Sequence, residues 1–261
     1  MIDLHCHILP GLDDGPETVD EAVEMCLIAH EDGIRTIVAT PHFRPGSYDH
    51  SEEVVISALD GLRSEVARRG IDIRILAGAD VTVTPELPLH LSLRRGLTIN
   101  NAGRYFLAEL PNGAVPARWD QYLLSMITRG FSPILTHPER NGWFLSHQDA
   151  LYPFVSAGGL VQITAMSITG GVSEDVREYC HFLLRRNLVQ IIATDAHSIE
   201  QRPPVLSEAF KAAADIVGET SAFRLVRDNP RAIIEGRTFE VREPVMRIPE
   251  KRKWYQRILD L

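Results

Sequence analysis

Short apolar runs recur along this chain, and nearly all of them have a histidine, an aspartate or a glutamate at or next to their end. The runs are Ile2–His5, Arg35–Thr40, Ile73–Asp80, Tyr105–Leu110, Pro133–His137, Leu160–Thr164 and Leu188–Thr194. Most read as near-continuous Val/Ile/Leu segments, the pattern of parallel strands covered on both faces. His5 and His7 close the first as His-x-His, with Asp13 and Asp14 in the loop beyond. His42 follows the second run, Asp80 ends the third, Glu109 the fourth and His137 the fifth. Asp195 and His197 follow the seventh as Asp-x-His.

Amphipathic stretches fill the gaps. Helices are expected over Thr18–Asp32 and Ser51–Arg69, stopped by Gly33 and Gly70, and near Trp119–Arg129, Gln148–Ser156, Glu174–Arg186, Pro204–Val217 and Ser221–Val226. Asn229-Pro230 starts another, with proline in the first turn. Strand–helix alternation predicts an α/β fold, either a barrel-like ring or an open doubly wound sheet. No Gly-x-Gly-x-x-Gly follows the first strand, against a dinucleotide site.

In a β/α barrel all strand C-termini open on one face. His5, His7, Asp14, His42, Asp80, Glu109, His137, Asp195 and His197 then meet in one bowl. This donor set of imidazoles and carboxylates, without thiolate, suits roughly two to three divalent ions of the Mn²⁺, Fe or Zn²⁺ kind. Each residue alone has a plainer role: Asp13 and Asp14 as turn residues before Gly15-Pro16, Glu109 as an arginine partner. Burying all of them together without cations would be very costly. Arg140 and Arg202 follow the histidines of the fifth and seventh strands closely, on the same face. They are suited to gripping a phosphate through paired hydrogen bonds, or to pairing with the acids of the cluster.

The net charge of −8 argues against nucleic acid as the main partner. No apolar run is long enough for membrane insertion, and Met1–His5 lacks a signal-peptide pattern, so a cytoplasmic location is expected. Cys6, Cys26 and Cys180 form no Cys-x-x-Cys pair and read as reduced, largely buried thiols. Residues 241–261 form a basic segment with Arg242, Arg247, Lys251, Arg252, Lys253 and Arg257.

These segments resemble the polymerase-and-histidinol-phosphatase (PHP) superfamily, and within it the CpsB-type bacterial protein tyrosine phosphatases linked to capsular and exopolysaccharide synthesis. The matching elements are Ile-Asp-Leu-His-Cys-His at 2–7, Asp-Asp-Gly-Pro at 13–16, Thr-Pro-His at 40–42, Gly-Ala-Asp at 78–80, Glu109, His-Pro-Glu-Arg at 137–140, Asp-Ala-His at 195–197 and Arg-Pro-Pro at 202–204. Asp228-Asn-Pro-Arg231 extends the likeness. The resemblance implies the PHP fold, a distorted (β/α)7 TIM-like barrel in a single domain over 1–240, with 241–261 as a basic tail.

It also implies three metal positions. His5, His7, Asp80 and Asp195 would hold the first ion, Asp80, Glu109 and His137 the second, and Asp14, His42 and His197 the third, with Arg140 and Arg202 on the phosphate. The ions would be Mn²⁺ first, Fe or Zn²⁺ otherwise, and a hydroxide held between two of them would attack phosphorus. Cys6 would face away from its flanking histidines, and no Cys-x5-Arg phosphate loop is present. The implied partner is a phosphotyrosine protein, the tail of a bacterial tyrosine kinase. Other readings are a phosphatase of a small metabolite such as histidinol phosphate, an amidohydrolase, and a non-catalytic metal-binding regulatory domain. One position departs from the pattern: Asp80 stands where this branch more often has Glu.

Overall fold

A computed structural model describes residues 1–111 and 115–246. Of the basic segment 241–261, the part from Arg247 onward lies outside the described residues. Its beginning runs back along the domain: Val245 N–H donates to Arg186 O at 2.9 Å and Asn187 Nδ2 to Glu243 O at 3.0 Å.

The strands are β1 (Ile2–Cys6), β2 (Thr36–Ala39), β3 (His42–Phe43), β4 (Arg74–Ala77), β5 (Asp80–Thr82), β6 (Tyr105–Glu109), β7 (Ser132–Thr136), β8 (Leu160–Thr164) and β9 (Ile191–Ala193). All pairings between them are parallel, in two sheets ordered β1-β2-β4 and β3-β5-β6-β7-β8-β9. Thr36 pairs with Arg74 and His42 with Asp80, the same register offset, so β3 continues β2 and β5 continues β4. Merging them leaves seven strand tracks. The expected third strand, Ile73–Asp80, is thus broken at Gly78-Ala79, opposite the break at Thr40-Pro41. Pro41 has no N–H for the ladder, and its carbonyl accepts instead from Asp80 N–H at 3.1 Å. Gly78 is required there, because a Cβ would lie 2.7 Å from Val38 Cγ1.

The first and last tracks also meet. Asp195 N–H donates to His5 O at 2.8 Å, His7 N–H donates to Ala196 O at 2.9 Å, and Cys6 bridges Ala196 in parallel. The seven tracks therefore form a distorted β/α barrel rather than an open doubly wound sheet.

Helices cover the outside, chiefly α1 (Val19–Glu31), α2 (Glu52–Arg68), α3 (Leu87–Leu93), α4 (Trp119–Leu124), α5 (Gly142–Ser146), α6 (Leu151–Ser156), α7 (Ala165–Thr169), α8 (Glu174–Arg185), α9 (Ser207–Val217), α10 (Glu219–Phe223) and α11 (Asn229–Ile234). Helix α1 opens on a capping box of Thr18 and Glu21. The helix expected over Trp119–Arg129 ends at Leu124 and resumes as a single 3₁₀ turn, Ile127–Arg129. Helices α3, α5 and α7 were not expected. They are only five to seven residues long, too short for a periodic pattern to emerge.

Two apolar clusters fill the domain. The larger lies between strands and helices. The smaller plugs the barrel with Leu4, Val38, Leu76, Leu107, Ile134 and Ile191, and Ile233 and Ile234 of α11 join it. Period-two alternation carries each inward face from this plug to the bowl. Val38 leads to Thr40 and His42, Leu76 to Gly78 and Asp80, Leu107 to Glu109, Leu160 to Gln162, and Ile191 to Ala193 and Asp195. Two tracks depart from this: after Ile134 and Thr136 in β7 the left-handed turn swings His137 into the bowl, and β1 changes phase within the strand, where its pairing shifts between Asp3 and Cys6. After Leu4 in the plug, His5 and His7 reach the bowl, and Cys6 packs in the outer cluster.

Candidate metal centre

The nine expected ligands converge at the C-terminal ends of the strands. Donor atoms fall into four overlapping groups: His7, Asp14, His42 and His197; His5, His7 and Asp80; His5, His137 and Asp195; and His42, Asp80 and Glu109. The sets differ in membership from the three implied by resemblance. His137 lies with Asp195 rather than with Glu109, and His42 takes the place beside Glu109. Asp80 belongs to two groups, with Oδ2 3.7 Å from His5 Nε2 and 3.4 Å from His42 Nδ1. Asp80 Oδ2 thus lies within reach of both sets, although the side chain is short.

The backbone turns sharply at two of these positions. His137 has φ 34° and Asp195 φ 51°, left-handed conformations that cost a non-glycine residue roughly 1–3 kcal/mol. Each stands just past its strand. The turn at His137 ends β7 one residue earlier than expected and starts the 3₁₀ turn that carries Arg140.

Hydrogen-bond partners decide which ring nitrogens are free. His5 Nδ1 lies 2.8 Å from Gln162 Oε1, and His7 Nδ1 lies 2.6 Å from Asp13 Oδ2. Both partners are acceptors, so both Nδ1 atoms donate. The two Nε2 atoms then carry lone pairs, and they face each other at 3.0 Å. Burial pushes His7 down to about 4, although Asp13 opposes this, so the ring is neutral. His137 is lowered to about 4 by burial as well. With Nδ1 engaged on each ring and His7 neutral, the facing Nε2 atoms of His5 and His7 suit a cation between them.

Asp80 makes the same demand. It is fully buried, and neither carboxylate oxygen has a hydrogen-bond partner. Burial alone would raise its pKa, but His5, His42 and His137 hold the carboxyl well below its usual range. An ionised, unpartnered carboxylate in the interior costs several kcal/mol unless a cation compensates. His42 is placed between acids, with Nε2 3.5 Å from Asp14 Oδ1 and Nδ1 3.7 Å from Glu109 Oε2. Burial disfavours its charge, yet Asp80, Glu109 and Asp14 carry it up to about 9. The donor set and these unpartnered atoms fit divalent ions.

Arg140 and Arg202 both lie at this centre. Arg140 Nη1 sits 2.5 Å from Asp195 Oδ2, and Arg202 Nη2 bonds the same oxygen. The pairing with the acidic cluster is thus present, and both guanidinium groups line a cavity of about 650 Å³.

Several residues of the site escaped the sequence reading. Asp13 accepts from His7, from His42 N–H at 2.9 Å and from Gly15 N–H at 3.0 Å. It orients ligands rather than only shaping a turn, a role that conserves imidazole geometry in metal sites. Gln162 does the same for His5 from β8, the one track whose end carries no chelating group. Arg44 Nη2 reaches Glu109 Oε2 at 3.2 Å and lines the same cavity. Asp3 lies below, accepting from Thr194 N–H at 3.0 Å and from the Thr194 hydroxyl. Only Asp13 carried a signal, its place beside Asp14. His50 bonds Leu12 O at 2.6 Å and belongs to none of the donor groups.

Comparison with known proteins places the chain in a family. A family model described as capsular polysaccharide synthesis, CpsB/CapC, matches residues 1–235. The chain is 32% identical over 253 residues to the tyrosine-protein phosphatase YwqE of Bacillus subtilis (strain 168), covering 97% of this chain and 98% of that one. It is 28% identical over 240 residues to the tyrosine-protein phosphatase CpsB of Streptococcus pneumoniae, covering 90% and 98%. A solved structure from the study of YwqE and CpsB as unique metal-dependent tyrosine phosphatases superposes with a TM-score of 0.87 at 31% identity, over 95% of this chain and 100% of that one. A histidinol phosphate phosphatase from Lactococcus lactis shares the fold, with a TM-score of 0.56 at 13% identity over 86% of this chain and 95% of that one. The chain belongs to the capsular polysaccharide synthesis CpsB/CapC family.

Proposed function

We propose that this protein is a metal-dependent protein tyrosine phosphatase, a phosphoric monoester hydrolase. The observation that carries this reading is one convergent donor cluster: His5 Nε2 and His7 Nε2 face each other and both Asp80 oxygens lack a hydrogen-bond partner, while Asp14, His42, Glu109, His137, Asp195 and His197 line one cavity with Arg140 and Arg202. Bound divalent ions, Mn²⁺ in this proposal, supply an activated water near neutral pH and neutralise phosphoryl charge. The nine residues His5, His7, Asp14, His42, Asp80, Glu109, His137, Asp195 and His197 would hold them.

The chain's own residues do the remaining work. Arg140 and Arg202 share Asp195 Oδ2, which holds both guanidinium groups at the cavity wall before substrate arrives. Their unused N–H groups then receive two phosphoryl oxygens and keep them there as charge builds up. Asp13 and Gln162 fix the rings of His7 and His5, so the ligands need not reorganise during turnover. A tyrosine phenolate, with a pKa of about 10, leaves without a dedicated acid. The relatives' part in capsular polysaccharide synthesis supports a cytoplasmic phosphotyrosine protein as substrate, in this proposal the tail of a bacterial tyrosine kinase. Among the described residues no helix is long and apolar enough to cross a membrane.

The test is hydrolysis of a phosphotyrosine peptide by metal-stripped protein, with and without Mn²⁺, beside histidinol phosphate. Turnover of the peptide that appears only with metal is expected. Full activity after rigorous stripping, or turnover of histidinol phosphate alone, would overturn the reading.

A further inference from the structure

The bowl that holds the arginines is far larger than the donor cluster alone requires. About 650 Å³ lies within the range of sites that take a whole organic ligand. Its floor is polar, and its lining holds three aromatic residues: Phe144, which is buried, Tyr48, which is half-buried, and Trp143, which is the most exposed. The indole remains 37% exposed, uncommon for so much apolar surface, which gains from being covered. It lies three residues beyond Arg140, in α5, and lines the same cavity as Arg140, Arg202 and Asp195.

Trp143 is also held in place. The Trp143 backbone N–H donates to Asn141 Oδ1 at 3.0 Å. The His147 ring stacks on the indole, with centroids 4.3 Å apart and planes at 14°, while His147 Nδ1 bonds Trp143 O at 2.8 Å. Phe144 meets it edge-on, at 5.1 Å and 88°, and is itself buried against Trp119. An exposed aromatic surface fixed before binding loses little conformational freedom when a ring lies on it.

We propose that Trp143 forms a stacking wall for the aromatic ring whose phosphate sits on Arg140 and Arg202. This rests on the phosphatase reading and adds the residue that distinguishes aryl from alkyl phosphates. The wall acts on binding rather than on phosphorus. Its loss therefore weakens capture of an aryl phosphate and leaves the chemical step unchanged.

Two measurements on the metal-loaded full chain test this. In the first, phenylphosphonate and methylphosphonate, which are not hydrolysed, are titrated into wild type and Trp143→Ala. The phenyl compound is expected to bind wild type roughly 3- to 10-fold more tightly than the methyl one. That preference should vanish in Trp143→Ala and return in large part in Trp143→Phe. In the second, Trp143→Ala raises KM for p-nitrophenyl phosphate by a similar factor with kcat within about twofold, and leaves kcat/KM for glycerol phosphate unchanged. Equal affinity of wild type for the two phosphonates, or equal losses of both in Trp143→Ala, would overturn the proposal. The phosphonate arm does not depend on turnover. A phenyl preference lost in Trp143→Ala would support the wall even if no phosphate ester were hydrolysed, and in that case only the phosphatase reading would fall.

Discussion

At the scale of single residues, the centre depends on side chains that hold the ligands as much as on the ligands. Asp13 fixes the His7 tautomer and anchors the backbone at His42. Asp13→Ala is expected to weaken metal affinity about 10- to 100-fold with the fold retained; calorimetric metal titration beside a circular dichroism spectrum checks this. Unchanged affinity would remove the orienting role. Asp3 gives a pH signature. Burial raises its pKa from 3.8 to about 6, against the opposing Thr194 hydrogen bonds. The folded state therefore holds this proton more tightly than the unfolded chain. The associated stability is fully present below about pH 4 and is lost as pH rises through about 6. In chelator-treated protein, wild type should lose stability relative to Asp3→Asn across that window, by at most about 1.4 kcal/mol per pH unit. Denaturant unfolding at several pH values measures it, and a constant difference between the two proteins would refute it.

At the scale of elements, the paired interruptions of β2–β3 and β4–β5 set the depth of the site. They bring His42 and Asp80 into register beside each other, with the Asp80 N–H held by Pro41 O. Gly78→Ala would press a methyl against Val38 Cγ1 at 2.7 Å and Thr40 Cγ2 at 3.3 Å. The expected cost is about 1–3 kcal/mol of stability, together with weaker metal binding, because any relief of the clash moves Asp80. Thermal unfolding and metal content of the purified variant are the readouts. A variant as stable and as metal-rich as wild type would show that the break tolerates a side chain.

At the scale of the whole molecule, the barrel gathers four candidate carboxylate ligands, Asp14, Asp80, Glu109 and Asp195, at one end. Cations bound there stabilise the folded state by mass action, about 2.7 kcal/mol at a hundredfold excess over Kd. For a domain of this size that corresponds to roughly 5–10 °C in Tm. Chelation should lower Tm by about that much, and Mn²⁺ should restore it. A Tm indifferent to chelator and metal would argue that the acid cluster is balanced by Arg44, Arg140 and Arg202 alone.

The sequence by itself determined the alternation of parallel strands with helices and the identity of the convergent candidate ligands; that the strands close into a ring was decided by the contacts of His5 and His7 with Asp195 and Ala196. A chelating side chain at the end of an apolar strand has one place to go once the strands are parallel, so His5, Asp80, Glu109, His137 and Asp195 were legible from local pattern. Only the tertiary structure decided which of them share a position. That depends on distances between residues tens to hundreds of positions apart, such as His5 and Gln162, or Arg202 and Asp195 against Arg140. It also decided the phase change in β1 and the broken third strand, both of which arise from pairing with a neighbour rather than from local propensity. Gln162 and Trp143 carried no signal in sequence for the same reason, and Arg44 only its place in the loop after His42. An arginine, a glutamine or a tryptophan becomes part of a site through what stands opposite it, and in a linear chain nothing does.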